Sequence, residues 1–150
     1  MGRVFVVGTA DTKAEELTYL AARIRAAGAV ALVVDIGTRP SAATVDVPQR
    51  VVAGHGDAAA IAGTDRGTAV TAMGKALAAF IATQEQVDAV IAIGGGGGTS
   101  IACTGMRALP IGIPKLMVST LASGDISAFI GISDIVMMPA IPDFAGLNRI

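Results

Sequence analysis

The chain has 150 residues, room for one domain with a substantial core, and Lys+Arg 11 against Asp+Glu 12 gives a net charge of -1. With aromatics at 3% and no Trp, it offers neither the basic surface nor the stacking platforms of a nucleic-acid binder, so nucleic acid is excluded as an expected partner. Hydrophobic residues at 53% and charged residues at 15% exclude intrinsic disorder and predict apolar surface hidden against a partner, either a second copy or a second domain.

In chain order, 4–7 is a β-branched and aromatic run ending at Gly8, the pattern of a strand buried on both faces of a parallel sheet. Thr12 and Glu15 have capping-box spacing, and Leu17, Leu20, Ala21 and Ile24 mark the inner face of a helix over 12–27. A second strand at 30–34 closes on Asp35, which completes a right-handed βαβ unit. The stretch 36–64, with prolines and glycines but no sustained period, reads as a functional loop or an excursion. A helix over 67–84, apolar nearly all round, is expected to be buried on more than one side. A strand at 89–93 then runs into five glycines at 94–98, followed by a short helix over 100–108, a strand at 116–118 and a fifth at 135–138. Alternation of this kind predicts a doubly wound, Rossmann-like α/β fold, a mainly parallel sheet with helices on both faces. The domain is expected over 1–138, with 139–150 either a connector toward a missing C-terminal domain or a frayed tail packing on its own domain.

No run of about 18 apolar residues free of polar breaks occurs, so no membrane span is predicted, and the run after Arg3 is too short for a signal-peptide core. Cys103 has no disulfide partner and no companion metal ligands, which points to the cytoplasm. It is expected to be a small buried hydrophobe, and Met137 and Met138 to lie in the core. His55, alone between two glycines, reads as a surface histidine.

In an open parallel sheet, ligands bind beyond the carboxyl ends of the strands, where the strand order reverses. Four polar segments gather there. Gly94, Gly95, Gly96, Gly97 and Gly98 let backbone N–H groups approach an anion closely, with Thr99 and Ser100 adding hydroxyls and the following helix its dipole. The competing reading is a strand-to-helix turn that needs positive φ at one or two positions. No Gly-Lys-Ser/Thr follows the run, so it is not a Walker A loop, and the first turn lacks the Rossmann G-x-G-x-x-G. After the first strand come Thr9, Asp11, Thr12 and Lys13. Asp11 and Thr12 read as helix caps or ligand groups, and Lys13 as a solvated cation or one resolved by an anion beside the helix N-terminus. Asp35 reads as a ribose-binding acid or a turn former ahead of Gly37. Ser119, Thr120, Ser123, Gly124 and Asp125 either hold a phosphate, a metal-bound water or a base, or simply make turns.

Taken in order, Gly8-Thr9-Ala10-Asp11-Thr12-Lys13, Asp35-Ile36-Gly37-Thr38, Asp65-Arg66-Gly67, the glycine run with Thr99, and Ser119-Thr120-Leu121-Ala122-Ser123-Gly124-Asp125 resemble the Tm-one-like ATP-binding domain family, an uncharacterised family typified by the plant tobamovirus-resistance protein. The resemblance covers essentially the whole chain. It implies an N-terminal Rossmann-like domain that binds ATP, with or without magnesium, followed in full-length relatives by a second domain whose contact would account for the apolar helix at 67–84. Two other functions stay open. Gly95-Gly96-Gly97-Gly98-Thr99 is similar to the Gly-Gly-Asp-Gly-Thr motif of lipid and NAD kinases, with Gly97 in place of its Asp, which allows a phosphotransferase. The apolar helix also allows a non-enzymatic oligomerisation module. No catalytic residue or metal ligand is assigned, and the sequence leaves open whether the protein is an enzyme.

Overall fold

In the computed structural model, residues 1–140 are described, so the expected connector lies outside the described residues from 141 onward. The elements are β1 (Arg3–Gly8), α1 (Ala10–Ala26), β2 (Val30–Asp35), α2 (Gln49–Ala53), α3 (Ala58–Ala62), α4 (Arg66–Ala82), β3 (Ala89–Gly94), α5 (Gly96–Arg107), β4 (Lys115–Ser119), α6 (Ser127–Ile130) and β5 (Ile135–Pro139). The five strands form one sheet in the order β2-β1-β3-β4-β5, every pair parallel. The doubly wound reading holds.

The sheet separates two apolar layers. On one face Val6, Ala31 and Val33 pack under Leu17 and Ala21 of α1. On the other, Phe5, Val7, Val90, Ala92 and Met117 pack under α4 and α5, with Phe129 and Ile130 of α6 against the same cluster. This division follows from handedness. The step from β1 to β2 runs one way along the sheet and the later steps run the other way, so right-handed crossovers put α1 alone on its face. The one buried lysine, Lys115, donates from Nζ to the carbonyls of Pro110 (2.8 Å) and Ile113 (3.0 Å) and to Asp134 Oδ1 (2.6 Å). That bond from Lys115, with one from the Gly112 N–H, holds the Asp134 carboxyl down at about 2.

Several expectations are corrected. Helix α1 begins at Ala10, with Thr9 at its N-cap, so Thr12 and Glu15 do not form the start. Helix α5 begins at Gly96 rather than 100, which puts most of the glycine run inside its first turn. The stretch 36–64 carries two short helices, α2 and α3, and an isolated bridge from Val47 to Val34. Met138 is 53% exposed and is not core, whereas Met137 packs against the α4–α5 side. As expected, α4 is buried on more than one side, against α2, α3 and α5. Cys103 is buried, as expected, and its thiol is pushed up to about 11 by burial. His55 is exposed, edge-on to Phe80.

Helices α4 and α5 approach closely because glycines stand at the contact. A Cβ on Gly105 would lie 2.6 Å from Leu77 Cδ2 and 2.7 Å from Leu77 Cγ, and one on Gly74 would lie 3.1 Å from Thr104 Cβ. A Cβ on Gly96 would meet nothing nearer than Leu121 Cδ1 at 4.0 Å. Gly105→Ala is therefore expected to cost about 1–3 kcal/mol of stability by overpacking. Gly96→Ala is expected to be neutral or to stabilise by up to about 1 kcal/mol, since alanine loses less backbone entropy in a helix. Urea unfolding of the two variants checks this, and a neutral Gly105→Ala would refute the close packing.

Candidate functional site

The order β2-β1-β3-β4-β5 reverses direction between β1 and β3, because β1 leads off to β2 on one side and β3 to β4 on the other. Helices α1 and α5 leave the sheet on opposite faces there, which opens a crevice at the carboxyl edge. The strand ends line up across that edge, Gly8 beside Asp35 and Gly94 beside Ser119 and, through Ser119, Pro139.

The turn from β3 into α5 is very tight. A Cβ on Gly94 would lie 3.0 Å from the Gly98 carbonyl carbon and 3.0 Å from the Thr99 nitrogen, so any larger residue would have to push the backbone aside by a few tenths of an ångström. The other four glycines have no such demand on them. Among the described glycines, positive φ occurs at Gly28, Gly112 and Gly131 and nowhere in the run, and a Cβ on Gly95, Gly96, Gly97 or Gly98 would meet its nearest atom at 3.5 Å or more. Gly95 is the N-cap of α5 and provides no side-chain acceptor, so the first-turn N–H groups of Gly96, Gly97 and Gly98 point out of the helix end with no intrahelical partner.

Three segments converge on this first turn, those after β1 and β4 and the start of α4. The position of a Cβ on Gly98 is 3.8 Å from Thr9 Cγ2, that on Gly95 is 3.7 Å from Thr120 Oγ1, that on Gly96 is 4.0 Å from Leu121 Cδ1, and that on Gly97 is 3.6 Å from Arg66 Nη2. Arg66 was not singled out as a site residue in the sequence. It is exposed at the start of α4, whose N-cap Asp65 accepts from Thr68 N at 2.7 Å, and α4 runs antiparallel to the strands, so its first turn reaches the carboxyl edge. The signal was present in Asp65-Arg66-Gly67, an N-cap followed by a cation.

Other predicted residues are engaged by the fold. Thr99 and Ser119 are fully buried, their hydroxyls 2.6 Å apart, and Ser119 Oγ also accepts from Leu121 N at 3.0 Å. They join the glycine turn to the β4 loop and are not presented to the crevice. Asp35 is 2% exposed and its Oδ1 accepts from Ala10 N (3.0 Å) and Gly37 N (2.8 Å), which anchors the start of α1 to β2. Thr9 and Thr12 hydroxyls pair at 2.9 Å. Asp11 is exposed close to Asp35, and a Cβ on Gly37 would lie 3.2 Å from Asp11 Oδ1. Lys13 breaks the helical geometry of α1, with φ -131 and ψ 28, and is half-buried. Ser100 is half-buried on α5, its carbonyl accepting from Thr104 Oγ1. Ser123, Gly124 and Asp125 are exposed beyond β4, and Asp125 is occupied by Ser127, whose hydrogen bonds hold its carboxyl below the usual range. No group of three or more His, Cys, Asp or Glu side chains able to hold a metal occurs among the described residues. A separate groove between α3 and α4 is lined by Asp57, Asp65, Thr68 and Lys75, but both its carboxylates cap their own helices.

Burial raises the Asp35 carboxyl above its ordinary value of 3.8, against the lowering by the Ala10 and Gly37 N–H groups, and the nearby Asp11 carboxylate adds to the rise. A raised carboxyl stabilises the fold most below 3.8, and that contribution is lost as pH rises through the folded value. Asp35→Asn, which keeps an acceptor, should therefore lose stability relative to the wild type more at about pH 4 than at pH 7. Asp35→Ala should cost about 1–3 kcal/mol at either pH, because two backbone donors lose their acceptor. Denaturant melts across that range check both, and a pH-independent gap for Asp35→Asn would refute the assignment.

Residues 2–150 match the N-terminal domain of the uncharacterised protein family UPF0261. A UPF0261 protein of Rhizobium meliloti (strain 1021) is 54% identical over 153 residues, covering 100% of this chain and 38% of the relative. One from Mesorhizobium japonicum is 55% identical over 153 residues with the same coverage, 100% and 38%. The ToMV resistance protein Tm-1(GCR237) of Solanum lycopersicum is 40% identical over 170 residues, covering 99% of this chain and 22% of that protein. The chain thus spans 38% of the length of the two bacterial relatives. With its whole length matched and its sheet all parallel, the chain belongs to the uncharacterised family UPF0261, as its N-terminal domain.

Proposed function

We infer that this domain binds a nucleotide, ATP, with its phosphates on the first turn of α5. The observation that carries the reading is the set of glycines at 95–98, which neither φ nor packing requires. In a helix each glycine costs about 0.5–1 kcal/mol relative to alanine, so Gly96, Gly97 and Gly98 together give up roughly 1.5–3 kcal/mol. Close approach of a phosphate to bare backbone N–H groups offsets that cost, and the helix dipole adds to the attraction. Arg66 beside Gly97 supplies a cation, and no salt bridge engages it among the described residues. Thr120 flanks the run with its hydroxyl, while Thr9 brings its methyl group to Gly98. Gly97 lies beside the Arg66 guanidinium, a group suited to hold a phosphate. The choice of ATP among phosphorylated ligands rests on the family resemblance. Magnesium would arrive with the nucleotide, held chiefly by its phosphates, as is usual for this ion.

The absence of a disulfide partner for buried Cys103 favours a reducing, cytoplasmic setting. No helix among the described residues is long and apolar enough to cross a membrane. The remaining partner expected from the composition is a second copy or a second domain.

Calorimetric titration of ATP tests the reading. The wild type is expected to bind, with a stabilisation of about 2.7 kcal/mol when ATP is at 100 times its Kd. Gly96→Val, whose side chain has room in the free protein but occupies the phosphate's place, should fold normally and lose binding at least about tenfold. Arg66→Ala should weaken binding by about 1.5–3 kcal/mol, the range of a charge-assisted hydrogen bond. No ATP-dependent shift in the wild type, or full binding by Gly96→Val, would overturn it.

A further inference from the structure

The register of the sheet places six apolar side chains in two rows on the α1 face, Ile91-Leu116-Val136 and Ile93-Val118-Met138. Helix α1 lies over β1 and β2 and reaches only the inner end of these rows, at Ile91 and Ile93. Toward β5 the rows open to solvent, with Val136 61% and Met138 53% exposed, and no charged residue interrupts them. Every crossover after β2 places its helix on the opposite face. Among the described residues, half of one sheet face is therefore left without a covering helix, on the side where the handedness rule puts a helix only when the chain steps back toward β2.

We propose that this bare strip is covered by a helix of the same polypeptide, formed after β5 and returning across β5, β4 and β3 to lie beside α1. Three observations favour this occupant. The strip is about three strands, or roughly 14 Å, wide, which is the diameter of one helix with its side chains and little more. Its footprint, about 240 Å² from strand spacing and rise, is far below the roughly 800 Å² per partner of a stable interface between separate chains, whereas an intramolecular helix pays no association cost. Chain to supply it exists in the family, since this domain spans 38% of the bacterial relatives. A chain leaving β5 at the carboxyl edge and running back antiparallel to the strands has the direction that α1 has from β1.

The test is thiol accessibility in the full-length protein that carries this domain. Val136→Cys and Met138→Cys each place a thiol on the strip, and Cys103, fully buried, adds little native-state labelling. Expected is alkylation at least about a hundredfold slower in the native protein than in denaturant, independent of protein concentration. A photo-crosslinking residue at position 138 should join peptides C-terminal to residue 140 within a single chain. Labelling at the denatured rate by the folded protein would overturn the proposal. Protection lost on dilution, or cross-links between two chains, would overturn it in favour of a second copy. The two cysteine variants act as checks on each other's folding, and neither position touches the glycine run, so the outcome is independent of nucleotide binding.

Discussion

The carboxyl edge of this domain depends on one tight turn, where β3 ends at Gly94 and α5 begins two residues later. The backbone of Gly98 and Thr99 folds back so closely that even a methyl at Gly94 would have to displace it by a few tenths of an ångström. Thr99 is then drawn under the sheet edge, where its hydroxyl meets that of Ser119 with both fully buried. A buried hydroxyl is costly unless partnered, so this pair satisfies two groups at once and ties the start of α5 to the end of β4. Because α5 is held there, its bare first turn faces the switch point rather than solvent at large, and the segments after β1 and β4 and before α4 close around it.

The same edge explains why some residue types that look like ligand groups are not presented to a ligand. Asp35, Thr99 and Ser119 belong to the polar set a reader would assign to a binding site, yet each is consumed by backbone or hydroxyl partners within the fold. A doubly wound sheet ends its strands where helices begin, and the unpaired N–H groups there need acceptors as much as any ligand does. Composition and spacing bring polar residues to the edge without saying which of them face inward. The strands themselves were legible because buried parallel strands read as β-branched runs, as in 4–7 and 89–93. Helices α2, α3 and α6 were not, since four or five residues carry no period to detect. Arg66 was hidden for another reason, because its place at the edge follows only from the direction in which α4 crosses the sheet.

Two carboxyls are shifted in opposite senses, one by burial and the other by its hydrogen bonds. Asp35 lies inside, with desolvation outweighing its two N–H partners, and its carboxyl is raised. Asp134 sits at the surface against the ammonium of buried Lys115 and its carboxyl is held low, so its contribution is present at neutral pH and lost as the pH falls through about 2. One group anchors the start of α1 at the carboxyl edge and the other closes the opposite edge beneath β4 and β5. Acid therefore loosens one end of the sheet while it favours the other.

The apolar excess of the sequence has its structural counterpart, but not where the sequence pointed. A helix apolar on nearly all sides suggested an outer contact at α4, and α4 instead spends that surface on α2, α3 and α5, with glycines at 74 and 105 letting α5 approach. The uncovered surface is on the sheet, where Val136 and Met138 alternate with the inward Ile135 and Met137. Alternation in a five-residue run of apolar residues cannot be seen from the sequence, because every position is apolar and both faces expect cover. A strand written this way at the edge of the sheet is built for two neighbours, and only one of them, α5 with α6, lies within the described residues.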